Sequence, residues 1–161
     1  MDGPVCLTFD VPPGIIMVTL MSAGVSGVHF SAARDVRAEN GLLPEGIELL
    51  AERVRAAFSR YCSTGDWAGI QSLPRIRPEG TDFRRRVWET IEQIAPGRRM
   101  SYGAIAQALG TPGSARAVGQ ACGANPLPIL VPCHRVVSAH GGLGGFSGGL
   151  AWKRWLLALE D

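Results

Sequence analysis

Two hydrophobic periods run along the 161 residues and divide the chain near its middle. In the first third, apolar positions recur in strand-like runs at "VCLTFDV" (5–11), "GIIMVTLM" (14–21) and "GVHFSA" (27–32), with Pro12, Pro13, Gly14, Gly24 and Gly27 breaking them into turns. From Pro44 the period lengthens. Ile47, Leu50, Val54, Phe58 and Tyr61 recur every three to four residues, which predicts an amphipathic helix. "STGDWAGIQSLPRIRPEG" (63–80) reads as a connector whose Pro74, Pro78 and Gly80 place a boundary between domains 1–78 and 79–161.

The second half is mainly helical. Thr81 or Asp82 caps a helix with Phe83, Val87, Ile91 and Ile94 as its buried stripe, and "APG" (95–97) stops it. Ser101 caps "YGAIAQALG" (102–110), which Gly110 terminates; Thr111, with Pro112 at the first helical position, opens a second helix through "GSARAVGQACG" (113–123). Two short helices around a glycine turn outline a helix-turn-helix or an ordinary helical hairpin. The second helix is nearly bare on one face, where Ala115, Gly119 and Gly123 recur every four residues with Ala117 and Ala121 nearby. Such a face suits close packing on a neighbouring helix or close approach to another surface. Arg116 is its one long cation, a solvated charge or a candidate for reaching into a DNA groove or stack. The glycine-rich loop "SAHGGLGGFSGG" (138–149) precedes a last helix with Leu150, Trp152, Leu156 and Leu159 as expected core positions. The loop gives flexibility, or backbone donors and room for a flat ligand. No strand leads into it as a phosphate-binding GxGxxG loop requires.

Composition adds limits. With 46% hydrophobic and 19% charged residues the chain is ordinary for a soluble globular protein, and no apolar stretch approaches the roughly 20 residues of a membrane span. The start "MDGPVCLTFDV" has neither a basic opening nor a long apolar run, so an intracellular, cytoplasmic setting is expected, with Cys6, Cys62, Cys122 and Cys133 as free thiols. Net charge is +2 but unevenly spread: residues 1–80 carry seven Lys or Arg against nine Asp or Glu, and residues 81–161 carry nine against five. The basic half fits a polyanion-facing surface and equally fits ordinary solvation.

The densest chemistry lies in "LVPCHRVV" (130–137), where Cys133 and His134 adjoin inside an apolar run. A thiol near pKa 8.5 needs a base or a positive field to become a nucleophile, and His134 is the obvious base. Neighbours on an extended strand point to opposite faces, so their contact requires a bend, which Pro132 supplies, or a bridging water. Glu160 is the candidate to orient the imidazole, since Asp82, Glu89 and Glu92 fall on polar positions of their own helix. The alternatives are a buried core thiol and a metal site through Cys122, Cys133, His134 or His140. Adjacent ligands strain a tetrahedral centre and no second pair has suitable spacing, so no metal is expected.

"SYGAIAQALG", "SARAVGQA", "NPLPILVPCHRVV", "GGFSGG" and "KRWLLALE" together closely resemble the active-site half of the O6-alkylguanine-DNA alkyltransferases, through nearly all of residues 81–160. The first 80 residues are similar in plan only. The resemblance implies an α+β protein, with a small ribonuclease-H-like sheet-plus-helix domain followed by a mainly helical winged helix-turn-helix domain. It implies irreversible, single-turnover transfer of an alkyl group from O6-alkylguanine, and less efficiently O4-alkylthymine, onto the protein's own cysteine after nucleotide flipping. Cys133 then corresponds to the acceptor, His134 to a base acting through water, Glu160 to its orienting acid, and Tyr102 to a hydroxyl that donates to the leaving guanine. Ser147, with the backbone of Val136, Cys133 and the glycine loop, would line the base pocket, and Asn125 would brace the cysteine segment. Arg116 matches a finger that fills the vacated stack, while Ala115, Ala117 and Gly119 lie on the helix entering the minor groove, where sequence is not read. Double-stranded DNA with alkylated bases is the implied partner of a monomer that requires no cofactor. Phe146, Arg84 and the proline of "IAPG" depart from the family pattern. Cys6 and His29 do not complete the N-terminal zinc set of some relatives, so that site is not carried over.

Overall fold

The strand runs of the first third fold as an antiparallel meander, β1 (Val5–Val11), β2 (Gly14–Met21) and β3 (Gly24–Ser31), in the computed structural model, which describes residues 3–36 and 42–161. On β2 the inward positions Ile16, Val18 and Leu20 are fully buried while Met17, Thr19 and Met21 are partly exposed, as the two-residue repeat of a strand demands. Gly27 does not break its strand as expected. It lies inside β3 beside a bulge, where Thr19 faces Gly27 and Leu20 faces Val25, leaving Ser26 extra; its hydroxyl donates to the Thr19 carbonyl at 3.3 Å. An interior strand glycine here marks a bulge rather than a turn.

α1 (Glu48–Thr64) presents Ala51, Val54, Ala57, Phe58 and Tyr61 to the core, and Phe58 stacks on Phe9 of β1 with ring centroids 5.2 Å apart. Burying a side chain the size of Phe58 contributes roughly 1.5–3 kcal/mol. Leu50 is only half-buried, Ala51 taking the core position beside it. The expected connector is part of this core: α2 (Ala68–Gln71) lies within it, and Trp67, Ile70 and Leu73 are buried at three-residue spacing. Beyond it, Val25 donates to the Pro74 carbonyl and accepts from Ile76, each at 2.9 Å, so the segment lines up on β3. The chain divides into two compact units, Met1–Arg77 and Pro78–Asp161.

In the second unit the hydroxyl of Thr81 caps α3 (Asp82–Glu92) by accepting from the Arg84 amide. Val87, Trp88 and Ile91 face inward, and the Trp88 indole N–H donates to the Ala121 carbonyl at 2.8 Å, tying α3 to α5 (Ala115–Gly123). Phe83, expected in that stripe, is half-buried. Two residues of β4 (Met100–Ser101) pair in parallel with β5 (Val136–Val137), and Ser101 caps α4 (Tyr102–Ala108) by accepting from the Ala104 amide at 3.0 Å. The second helix of the pair starts at Ala115 rather than Pro112, because Gly113 has φ +89° and a helix cannot continue through it. α4 and α5 are successive helices joined by a short glycine-containing turn in a mixed α+β fold. In α6 (Leu150–Glu160), Trp152 and Leu156 are buried as expected, whereas Leu150 is exposed and Leu159 is half-buried, and Lys153 and Leu157 complete the inward stripe instead. Among the described residues no helix is long and apolar enough to cross a membrane.

Candidate active site

Pro132 bends the chain. Its φ of −78° and ψ of 64°, with the Cys133 amide donating to the Val131 carbonyl at 2.7 Å, make an inverse γ-turn, whose φ the proline ring pre-sets. Cys133–Arg135 then form a single 3-10 turn. Successive side chains in such a turn diverge by about 120° rather than 180°. Cys133 and His134 therefore leave the backbone in separate directions within one buried turn.

His134 is fully buried, and its Nε2 lies 2.9 Å from Glu160 Oε1. Burial pushes the Glu160 carboxyl up, but hydrogen bonds from His134 and Arg135 outweigh it and bring the pKa down to about 2. An ionised carboxylate only accepts, so Nε2 carries the proton and donates it, leaving the lone pair on Nδ1. Nδ1 is buried and has no hydrogen-bond partner among the described residues. Burial, more than any charge, holds the imidazole pKa below its ordinary value; Glu160 opposes this, while Arg135 and Lys153 reinforce it. The resting ring is neutral, with an open acceptor.

The Cys133 thiol is 4% exposed. Burial pushes its pKa up, against which act the Asn125 amide, 3.3 Å from Sγ, and the Lys153 ammonium. Asn125 also donates to the Val131 carbonyl and accepts from the Leu127 amide, both at 2.9 Å, spanning a buried segment in which Ile129 takes φ +75°.

A cavity of about 600 Å³ opens beside the thiol. Of the site residues expected from sequence, Tyr102, Ala115, Arg116, Gly119, Cys133 and Ser147 line it, together with Cys122, Gly123, Gly145 and Phe146. The bare face of α5 is thus a wall of this cavity; Gly119 faces the Tyr102 ring, which a Cβ there would meet at 3.8 Å. Ala117 lies off that wall, Asn125 and His134 sit behind it, and Val136 is buried with its carbonyl taken by Lys153.

Two buried cations escaped the sequence pattern. Lys153 donates to the carbonyls of Val136 at 2.6 Å and Gly145 at 3.1 Å, and Gly145 also accepts from the Tyr102 hydroxyl at 3.4 Å, so the glycine loop is tied to the tyrosine and to β5. Arg135 is fully buried against Glu160. The signal for both was present as a cation on an apolar stripe: Lys153 lies three residues before Leu156, and Arg135 sits between His134 and Val136 in an otherwise buried run.

Chemically, the arrangement offers a thiol nucleophile, a neutral base with an open acceptor, a phenol donor and a cavity with a cation at its wall. Among the described residues no group of three or more His, Cys, Asp or Glu side chains could hold a metal ion.

Residues 82–161 match the family described as 6-O-methylguanine DNA methyltransferase, DNA binding domain. The methylated-DNA–protein-cysteine methyltransferase of Haemophilus influenzae is 36% identical over 150 residues, spanning 92% of this chain and 83% of that one. The crystal structure of the Mycobacterium tuberculosis O6-methylguanine methyltransferase superposes with a TM-score of 0.75 at 32% identity, over 98% of this chain and 93% of its own. The Mycobacterium tuberculosis protein in complex with DNA superposes with a TM-score of 0.70 at 34% identity, over 95% and 90% of the two chains. With sequence likeness and fold both extending along almost its whole length, the chain belongs to the methylated-DNA–protein-cysteine methyltransferases.

Proposed function

We propose that this protein repairs DNA by moving the alkyl group of O6-alkylguanine, and more slowly that of O4-alkylthymine, onto Cys133. The observation that carries the reading is the buried His134–Glu160 pair with Nδ1 unpartnered, directly next in sequence to a thiol on the wall of an open cavity. His134 Nδ1 takes the thiol proton through a bridging water, Sγ attacks the alkyl carbon, and the carbon–O6 bond breaks with its electron pair left on guanine. Tyr102 donates to the ring nitrogen of that anion, and the proton surrendered by the thiol passes on to the nucleobase, so a neutral guanine is left in the strand. The product is a thioether. It has no leaving group that water or a neighbouring side chain displaces, so each molecule acts once and needs no cofactor.

A guanine stacked in duplex DNA cannot bring its O6 to a cavity wall, so the nucleotide is flipped out at a cost of a few kcal/mol. Arg116, exposed on α5 at the cavity rim, fills the gap in the stack. The small residues of α5, Ala115, Ala117 and Gly119, let the helix enter the minor groove, where recognition of double-stranded DNA is indifferent to sequence. Ser147 and the glycine loop hold the flipped base. The protein acts as a monomer in the cytoplasm, whose reducing conditions keep Cys133 a thiol. Residues 79–161 carry the chemistry, and residues 1–78 form a separate ribonuclease-H-like domain.

The test uses a duplex with O6-methylguanine labelled in its methyl group. Label appearing on the peptide that contains Cys133, and none on a folded Cys133→Ala variant, is the expected result. DNA binding without transfer would make the protein a lesion sensor instead.

A further inference from the structure

The Glu160 carboxylate serves two partners. Oε1 accepts from His134 Nε2 at 2.9 Å and from Arg135 Nη2 at 2.7 Å, while Oε2 accepts from Arg135 Nε at 2.9 Å. Arg135 Nη1 donates to the Ile94 carbonyl just beyond α3, so the guanidinium is fixed on two elements. The side chains of His134, Arg135 and Glu160 are at most 1% exposed, leaving bulk solvent no part in balancing their charges. A buried carboxylate with an imidazole as its sole partner draws a proton onto that imidazole, because the ion pair is the cheaper way to bury the anion. Here the guanidinium already matches the anion in a two-pronged contact.

We infer that Arg135 is a positioning residue for alkyl transfer: by occupying both oxygens of Glu160 it keeps the resting His134 ring neutral, with its proton on Nε2 and its Nδ1 lone pair open. The inference rests on the proposed transfer, in which His134 must be unprotonated before it can accept the thiol proton. The charged and titratable groups around the ring agree with it. Its own turn contributes Cys133 and Arg135, α6 contributes Glu160 and Lys153, and the α3 side presents the Ile94 carbonyl. An additional proton on His134 joins two buried cations against one carboxylate. Lys153 cannot substitute for Arg135, since its hydrogen bonds go to the Val136 and Gly145 carbonyls.

The experiment is the pH profile of the single-turnover rate constant on a saturating O6-methylguanine duplex, for the natural protein, Arg135→Lys and Arg135→Gln. Removing the guanidinium charge is expected to move the acid limb upward by about two to three pH units, the size of a unit charge roughly 4–6 Å away at an effective dielectric near 20. Arg135→Lys, which keeps the charge and loses the fork, is expected to move it less. The final yield of adduct on Cys133 at alkaline pH should stay at one per molecule. A full adduct with an unmoved acid limb in folded Arg135→Gln overturns the role of Arg135 and leaves transfer standing; no adduct on the natural protein at any pH overturns transfer. Nitrogen-15 NMR of the His134 ring gives an answer independent of the variants' folding. The natural protein at neutral pH should show an unprotonated Nδ1 and a protonated Nε2, and an imidazolium there overturns the inference.

Discussion

Replacing Asn125 by alanine separates the packing of the acceptor segment from its chemistry. The asparagine is 5% exposed and its amide makes three contacts, donating to the Val131 carbonyl, accepting from the Leu127 amide and pointing Nδ2 at Cys133 Sγ. The Val131 carbonyl keeps the Cys133 amide as a second partner, so its loss lies at the low end of the range for a buried polar group, about 1 kcal/mol. The Leu127 amide loses the acceptor that Asn125 supplies, inside a fully buried segment, at a cost of about 2 kcal/mol. Together these lower stability by about 3 kcal/mol, or roughly 6–12 °C in Tm for a chain of this size. Losing the donor to sulfur also makes the thiolate harder to form. A hydrogen bond to an anion is worth about 1.5–3 kcal/mol, which slows transfer roughly 10- to 100-fold. Thermal unfolding by circular dichroism and single-turnover transfer read the two effects separately. A Tm within about 2 °C of the natural protein contradicts the bracing argument, and an unchanged rate in a destabilised variant contradicts the role at sulfur.

Other substitutions probe the remaining parts. Arg116→Ala should slow repair of duplex DNA more than transfer from free O6-benzylguanine, because only the former needs extrusion; equal losses would remove the finger role. At Gly144, φ is +70° and a Cβ would come within 2.6 Å of the Tyr102 hydroxyl and 2.7 Å of its Cε2, so Gly144→Ala must displace that ring. Backbone strain there is about 1–2 kcal/mol, and the transfer rate should fall by more than that small loss of stability explains. Stability should decline on acidification in two stages. The unfolded chain protonates its histidine near 6.5, before the folded one, whose pKa is lowered, and it protonates Glu160 near 4.5, whereas the folded protein does so at about 2. Folding stability is therefore fully present above about pH 6.5 and is lost below it, then lost further from about 4.5 downward, which urea midpoints across that range would follow.

Much of the fold and of the site could be read from the residues, and the exceptions share a physical cause. Strand alternation located β1 and β2 to the residue, and short side-chain oxygens at Thr81 and Ser101 marked the starts of α3 and α4, because these signals are local. The bulge beside Gly27 and the helix start displaced by Gly113 depend on backbone angles that glycine permits without announcing which it will take. The supposed connector joined the core because Trp67, Ile70 and Leu73 are buried in the folded unit, with Gly69 against Ala57 of α1, which composition alone does not reveal. The buried cations are the plainest case. A lysine or arginine reads as solvated, and only the fold shows that backbone carbonyls take up Lys153 and that a carboxylate 25 residues away meets Arg135. Cys133, His134 and Glu160 were legible as candidates, but the orphaned Nδ1 that gives the histidine its direction was not.

The central claim is that one sulfur accepts one carbon and the protein is then spent. Its most direct measurement is the amount of guanine restored within the strands of an excess O6-methylguanine duplex per molecule of protein, read by digesting the DNA to nucleosides at completion, with the intact mass of the protein taken at the end. The account predicts one guanine per molecule and one methyl group, located on Cys133. Guanine that continues to accumulate beyond one equivalent, or a methyl group found on Cys122 in the same cavity, would contradict it.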